Sequence, residues 1–292
     1  MAVQQIGPLF YINGPLPRRP KYGLVVNGDV IDEGDEHWGN GIQVHGYIPD
    51  CARGWSVCGI EASPPAEKAS QETPNPLPEF GPLTAYLTET CSTRTMEPTQ
   101  EAFKARASTT FAAVEGAVVE DQFWSGTWLP DNPHLADANA DVLNSGDATS
   151  ITNGLALLEN AIAATCRAGV IHMTPGLAVA ISTLGGGGVL QQVGGALYTV
   201  NGTLVIPGYG YDGSAPEGED ANTGTEEFAY ATGPVEVLRS EAFIMPPEVA
   251  QAIDRSQNTI EYRAERYYIP FWDTALQAGV RIDRCFLTCD GS

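Results

Sequence analysis

The sequence predicts an α+β chain in which two β-rich ends flank a helical middle. Three observations support this. Apolar runs around Asn-Gly pairs predict hairpins on both sides of the middle, because Asn-Gly supplies the positive φ angles of a tight hairpin turn. A long apolar stripe at helical spacing predicts one extended helix. A helix, a buried strand and another helix follow it, and this order indicates that the two ends return to a common sheet.

The composition limits the kinds of partner this chain can have. Its 292 residues include 15 Lys plus Arg against 36 Asp plus Glu, a formal net charge of −21. A protein that grips nucleic acid neutralises phosphates with its own cations, so this balance argues against a phosphate-binding surface. The chain also holds 32 glycines and 21 prolines, well above the usual share of these residues. We therefore expect many turns, loops and short strands.

The N-terminal third is predicted to be extended and β-rich. Met1–Pro20 is rich in proline and glycine and is predicted to form an extended arm, because proline fixes φ at several positions. Tyr22–Val26 and Asp29–Ile31 flank Asn27-Gly28, which predicts a hairpin. Strand-like fragments and a proline-rich linker follow, at Ile42–Tyr47, Trp55–Cys58 and Ala62–Pro82.

The middle of the chain carries the helical signals. Apolar residues recur every three or four positions over Thr99–Phe123 and predict a long helix with Thr99 as N-cap. A second helix is predicted over Ile151–Arg167, followed by a buried strand at Val170–Met173. Thr174-Pro175 then predicts a third helix, with the threonine as N-cap and the proline in the first turn, ending at Gly185–Gly188.

The last third is predicted to be β. Ala196–Val200 and Thr203–Ile206 flank Asn201-Gly202, the strongest local hairpin signal in the sequence. Tyr209–Thr225 is a glycine-rich, acidic loop. Four strands are predicted after it, at Glu227–Thr232, Val235–Leu238, Ile260–Phe271 and Val280–Leu287.

The sequence predicts no cofactor or phosphate site. The glycines of Gly185–Gly188 are followed by Val189–Gln192, which lacks the lysine and hydroxyl residue of a phosphate loop. His172 lies between Ile171 and Met173 on the predicted buried strand, so we expect it to be a hydrogen-bonded structural histidine.

No metal site is predicted either. Asp131, His134 and Asp137 lie three apart and leave a cation site open as the weaker alternative, since neighbouring prolines place them in a turn. The acidic clusters lack the ligand spacing of a calcium loop and are predicted to form solvated faces.

No catalytic residue stands out. Gly54–Cys58 lacks the second glycine of a nucleophile elbow, and Cys51 and Cys58 fit neither zinc nor redox spacing. Cys285 and Cys289 are predicted to pack on one face of a strand. Six cysteines are too few for a disulfide scaffold, so we expect synthesis in a reducing cytoplasm with free thiols or few bridges. We expect no secretory signal and no membrane span.

Three features together resemble the Hong Kong 97-type fold of tailed-phage major capsid proteins and encapsulins. The first is the order of a proline-rich arm, a hairpin-bearing segment and a long helix with an acidic end, Arg106–Phe123. The second is the helix–strand–helix of Leu155–Pro175 followed by the hairpin of Tyr198–Pro207. The third is the pair of late strands, Asn258–Phe271 and Ala278–Ile282.

The resemblance implies a division of the chain into the parts of that fold, with a spine helix and with peripheral and axial domains. The five segments are an N-terminal arm (1–21), an extended hairpin loop (22–98), the spine helix of the peripheral domain (99–140), the axial domain (141–234) and the peripheral return strands (235–292). The chain has three lysines, Lys21, Lys68 and Lys104. Few side chains would therefore be available for covalent cross-linking of a shell through lysine.

The resemblance implies a major capsid protein that self-assembles into an icosahedral head around phage DNA, in the virion, after assembly in the host cytoplasm. Its partners would be copies of itself in hexamers and pentamers, and scaffold, decoration or portal proteins. No enzyme activity, cofactor, membrane contact or sequence-specific nucleic-acid binding is implied. The candidate contact residues between subunits are Arg18, Arg19, Trp38, Trp55, Tyr209 and Tyr211.

Two other functions stay open from the sequence. One is a different virion component, such as a tail, neck or decoration protein, which would share the acidity and β content but lack the long helix. The other is a glycoside hydrolase or lyase that uses two of the 36 acidic side chains. This enzyme would be a monomer with carboxylates converging in a deep cleft.

Overall fold

The structure is a computed structural model. It describes residues 15–33, 36–46, 77–92, 100–183, 189–220, 222 and 224–285. Within these residues the α-helices are α1 (Leu24–Asn27), α2 (Gln100–Ser125), α3 (Ile151–Ala164), α4 (Pro175–Thr183) and α5 (Val249–Ala252). Short 3-10 turns lie at Glu36–Asn40 and Leu143–Gly146.

The strands of the described residues are short except for two. They are β1 (Asp29–Asp32), β2 (Ile42–Gln43), β3 (Glu79–Phe80), β4 (Leu83–Ser92), β5 (Asp141–Val142), β6 (Thr149–Ser150), β7 (Val170–Met173), β8 (Leu190–Val193), β9 (Ala196–Thr199), β10 (Leu204–Pro207), β11 (Glu226–Thr232), β12 (Val235–Arg239), β13 (Phe243–Met245), β14 (Ile253–Asp254), β15 (Thr259–Trp272) and β16 (Gln277–Asp283). The mixture of helices and sheets confirms the α+β class.

The chain divides into two compact units. Unit 1 comprises residues 1–19, 86–115 and 242–266, and unit 2 comprises residues 20–85, 116–241 and 267–292. The first part of α2, residues 100–115, therefore belongs to unit 1 and its last part, residues 116–125, to unit 2.

Unit 2 is built around an eight-stranded mixed sheet with the order β5-β16-β11-β7-β10-β9-β8, to which β6 adds at β16. Strand β7 lies in its middle and is buried along its whole length, parallel to β10 and antiparallel to β11. Helices α3 and α4 bury their apolar faces in the core of this unit, together with inward residues of the sheet. The unit therefore has a core of its own.

Unit 1 has a smaller core. Phe103 and Ala107 of α2 pack with Ala252 and Tyr262, and Ile244 and Ile260 pack around them. In this unit β13 and β14 pair antiparallel with the first half of β15. The ammonium of Lys104 lies 5.1 Å from the centre of the Tyr262 ring, a cation–π distance.

Most of the predicted helices and strands are confirmed near their predicted bounds. The helix predicted over Thr99–Phe123 is observed over Gln100–Ser125. Helix α4 begins after Thr174, whose hydroxyl accepts the N–H of Leu177 at 3.1 Å, so the predicted N-cap is confirmed. The strand predicted at Val280–Leu287 instead begins at Gln277 and ends at Asp283. Cys285 therefore lies beyond it, and Cys289 is outside the described residues.

The predicted hairpin around Asn27-Gly28 is wrong. Leu24–Asn27 form one helical turn, and Asp29–Asp32 pair in parallel with Val235–Arg239. The amide oxygen of Asn27 accepts the N–H of Gly23 at 3.1 Å, which closes the turn locally. Gly28 is extended at φ −74°, so the pair does not form the predicted turn. Strand β1 is instead paired by a strand about 200 residues away.

The second Asn-Gly pair does join a hairpin, between β9 and β10. Only Gly202 of the pair has a positive φ, +87°, and its N–H donates to the carbonyl of Thr199 at 3.0 Å. This is the geometry of a turn closed by a glycine bulge, not of the two-residue turn expected from the sequence. The hairpin is thus confirmed with a different turn.

Candidate assembly surfaces

The segment Pro15–Pro20 forms no helix or strand. Arg19 ties it to α2 within unit 1, since its Nε donates to the carbonyl of Ala112 at 3.0 Å and its Nη2 to the carboxylate of Glu115 at 2.8 Å. Arg18, the other predicted contact residue of this segment, is exposed. The segment therefore presents one arginine outwards and fixes the next one to its own unit.

Glu115 is a buried carboxylate held by two arginines. Its side chain is 1% exposed, and Arg266 of β15 donates to Oε1 at 3.0 Å and to Oε2 at 3.1 Å. The bond from Arg19 also ends on Oε1. A buried charge is tolerated only when it is paired and hydrogen-bonded, as this one is.

Glu120 is a second buried carboxylate on the same helix, in unit 2, and it accepts backbone donors instead of cations. The N–H of Leu24 donates to Oε1 at 2.7 Å and the N–H of Gly210 to Oε2 at 2.9 Å. Burial raises the pKa of Glu120 to about 7, while these backbone donors and that of Tyr209 oppose the rise. The carboxylate thus joins two distant backbone segments to α2.

The two predicted contact tyrosines occupy different environments. Tyr209 is 58% exposed and remains a candidate contact residue. Tyr211 is 4% exposed; its ring packs against Trp124 at 4.8 Å, and its hydroxyl lies 3.1 Å from Nδ1 of His172. Its own unit covers the Tyr211 ring in this structure, and a contact of Tyr211 with another subunit stays a prediction. Burial also raises the pKa of Tyr211.

His172 is fully buried on β7, as predicted for a structural histidine. Its second ring nitrogen, Nε2, lies 3.0 Å from the hydroxyl of Thr232, so both nitrogens have partners. Burial lowers the pKa of His172 to about 3, because an imidazolium would lose its surrounding water there. The ring is therefore neutral and serves packing.

The predicted contact tryptophans also divide. Trp38 is 9% exposed and thus buried in this structure, and its role as a contact residue stays a prediction. Trp55 lies outside the described residues. Trp128, which follows α2, is 57% exposed. Among the aromatic residues that the structure describes, Tyr86 and Tyr209 have larger exposed fractions.

The structure does not support the cation site left open at Asp131, His134 and Asp137. His134 is 5% exposed, and its Nδ1 lies 3.0 Å from the carbonyl of Asn132. Asp137 accepts the N–H of Asn139 at 2.7 Å and the side-chain amide of Gln277. No group of three metal-ligating side chains with suitable geometry is found in the described ranges.

Sequence reasoning missed Glu115 and Glu120 as individual residues. Both lie on α2 among small and apolar residues, where an acidic side chain interrupts an otherwise apolar helix. That interruption was the available signal, but their arginine and backbone partners are distant in sequence.

In the described residues no helix is long and apolar enough to cross a bilayer. Cys166 is disulfide-bonded.

The chain matches no protein-family model and no curated protein. Solved structures, however, share its fold over nearly the whole length. The capsid of an empty GTA particle is 16% identical, with a TM-score of 0.52 over 95% of each chain. The holo-SrpI encapsulin complex from Synechococcus elongatus PCC 7942 is 12% identical, with a TM-score of 0.55 over 97% of this chain and 96% of that one.

A structure from Mycobacterium phage Che8 is likewise 12% identical, with a TM-score of 0.51 over 97% of this chain and 99% of that one. Identities this low establish the fold alone. The predicted Hong Kong 97-type fold is confirmed.

Proposed function

We propose that this chain is the major capsid protein of a tailed-phage head, a subunit that assembles with copies of itself into an icosahedral shell around DNA. The observation that carries the proposal is the fold. It matches a GTA capsid chain and an encapsulin chain, and each match covers at least 95% of this chain and at least 95% of the other chain. A match over whole chains, instead of over one domain, favours a subunit of the same kind.

The charge supports the same function. A formal net charge of −21 keeps like-charged DNA from adhering to the inner wall, whereas a basic wall would bind it. Function then depends on contacts between subunits, and no chemical step is proposed. The buried carboxylates Glu115 and Glu120 are occupied by structural partners, which argues against their use as a glycosidase pair.

We also propose the division of the subunit that the resemblance implies. We assign residues 1–21 to an N-terminal arm, 22–98 to an extended loop, 99–140 to the spine helix, 141–234 to an axial domain and 235–292 to peripheral return strands. Arg18 and Tyr209 are the proposed contact residues, since both are exposed. Scaffold, decoration and portal proteins are proposed as further partners, and the virion, assembled in the host cytoplasm, as the location.

Expression of the full chain tests this function. Size-exclusion chromatography with light scattering, followed by negative-stain microscopy, is expected to show capsomers, rings or closed shells. A single species of 31.0 kDa at every protein concentration would contradict the proposal and favour the monomeric enzyme instead. Fibres or tube segments without closed particles would favour a tail or neck component.

A further inference from the structure

The loop that follows α2 is held by one buried side chain. Gln122 is 1% exposed. Its Oε1 accepts the N–H groups of Trp128 and Leu129 at 3.0 and 2.8 Å, and its Nε2 donates to the carbonyl of Leu129 at 3.1 Å. A single amide thus satisfies three backbone groups of the loop. The backbone at Trp128 is therefore fixed relative to the helix.

A second set of contacts holds the start of the same loop. Asp121 Oδ1 accepts the hydroxyls of Ser125 and Thr127 at 3.1 and 3.0 Å. Gly126 ends the helix at φ +65°, and a Cβ there would lie 2.6 Å from Nδ1 of His134. Hydrogen bonds thus hold both ends of the loop, and His134 packs against Gly126 at its start.

The largest side chain of this fixed loop nevertheless stands in water. Trp128 is 57% exposed, whereas Trp38, Trp124 and Trp272 are exposed by 9% or less. A rigid, exposed indole loses little conformational entropy on binding, and tryptophan is enriched among residues that dominate binding energy. The loop therefore has the properties of a preformed binding anchor.

The surroundings of Trp128 define the chemistry of its ligand. Asp131, in the following turn, is exposed and forms no ion pair with the described basic residues. An exposed indole with an exposed carboxylate three residues further along the same loop suits a segment that combines proline with arginine. Proline-rich extended segments dock on aromatic rings, and guanidinium groups stack on indoles and pair with carboxylates.

The chain itself contains such a segment. Pro15–Pro20 holds the one adjacent arginine pair of the sequence together with three prolines. Residues 15–19 are exposed, Leu16 by 62%, and they form no helix or strand. Arg18 pairs with no carboxylate among the described residues, whereas Arg19 is engaged with Glu115. Its apolar residues and its free cation complement Trp128 and Asp131.

We propose that Trp128 and Asp131 form the docking site for the Pro15–Arg18 segment of a second copy of this chain. The inference rests on the proposed function, which requires copies in contact, and adds to it one site and its ligand. Charge favours this choice of surfaces. Two copies that each carry −21 repel one another. Arg18 and Asp131 form no ion pair within the described part of the chain, so a contact that brings them together lowers that repulsion.

Photo-cross-linking tests the site directly. Benzoylphenylalanine replaces Trp128 in the full chain, and ¹⁵N-labelled and unlabelled copies are mixed before irradiation, so that mass spectrometry separates links between copies from links within one. The expected product joins position 128 of one copy to the peptide containing residues 15–18 of another. The matched control carries the same group at Val179, which is 65% exposed, and is expected not to capture that peptide.

Charge exchange tests the chemistry of the contact. Arg18→Glu is expected to lower the yield of this cross-link about tenfold, because it places like charges together. Asp131→Arg in the partner copy is expected to restore it, while Asp131→Arg mixed with unaltered Arg18 is expected to lower it.

Three outcomes would overturn the inference. Particles visible by microscopy whose cross-links from position 128 go to other peptides would overturn the docking site and leave the proposed function standing. Links found only within one copy would do the same. A monomeric preparation that gives no link between copies would overturn both.

Discussion

The N–H of Gly210 donates to the buried carboxylate of Glu120 at 2.9 Å. The backbone of the glycine is so close to helix α2 that a Cβ at this position would lie 2.1 Å from the carbonyl oxygen of Ala117. The other oxygen of the same carboxylate accepts the N–H of Leu24, which precedes Gly210 by 186 residues in the sequence. One side chain of a single helix therefore holds two distant stretches of backbone within unit 2, one of which carries the exposed Tyr209.

Gly210→Ala is expected to destabilise the chain by about 3 kcal/mol or to prevent folding. A Cβ at this position would lie 2.1 Å from the carbonyl oxygen of Ala117, a backbone atom that cannot move aside without distorting the helix. Urea denaturation at concentrations where the chain is unassembled measures the effect. Gly224→Ala is the control, since a Cβ there meets nothing within 4 Å, and it is expected to change stability by less than about 0.5 kcal/mol.

Glu120→Gln is expected to change how stability depends on pH. Because the pKa is raised from 4.5 to about 7 in the folded chain, the folded state holds this proton more tightly than the unfolded state. The contribution of Glu120 is therefore complete below pH 4.5 and is lost as pH rises through 7. From pH 4 to pH 8, the stability of Glu120→Gln relative to the unaltered chain should rise by about 3 kcal/mol.

Denaturation at several pH values checks this prediction. The same comparison for Val179→Ala, which removes no titrating group, is expected to give a difference that stays constant with pH. A constant difference for Glu120→Gln as well would show that this carboxyl titrates normally in the folded chain.

His172 is expected to stay neutral in the folded chain well below the usual pKa of a histidine. Its pKa is lowered to about 3, so the unfolded chain binds this proton first, and stability contributed by the neutral ring is lost as pH falls from 6.5 towards 3. NMR of the ring nitrogens should show no titration of His172 between pH 8 and pH 5. A midpoint near 6 would mean that the ring is solvated.

Glu115→Gln is expected to cost about 3 kcal/mol or more of unfolding free energy. The change leaves the guanidinium of Arg266 beside a neutral amide, in a site where the Glu115 side chain is 1% exposed. Asp32→Asn is the matched control. It breaks the pair with Arg239, but the Asp32 side chain is 70% exposed, so a loss below about 1 kcal/mol is expected. Equal losses for the two variants would contradict the account of Glu115.

The elements that were predicted correctly carry their signals locally. Helix α2 has its apolar stripe, α4 has Thr174 and Pro175 at its start, and the β9–β10 hairpin has Gly202 in its turn. Each of these signals acts within a few residues, and in these three elements no pairing with a distant segment opposes it.

The predictions that failed depend on partners far away in the sequence. Strand β1 pairs with β12, and that pairing replaces the hairpin that Asn27-Gly28 favours. The burial of Tyr211 against Trp124 and His172 was likewise not evident from its glycine-rich loop, although its contact role stays untested. The roles of Glu115 and Glu120 follow from donors that the sequence does not bring next to them. Trp55 stays a prediction, because it lies outside the described residues.

The claim that this chain completes its structure by contact with copies of itself is tested most directly by cryo-electron microscopy of the purified full-length protein. The account predicts closed icosahedral particles in which every subunit has the fold described above and residues 15–18 lie on a neighbouring copy. Isolated 31.0 kDa molecules at all protein concentrations and pH values would contradict it.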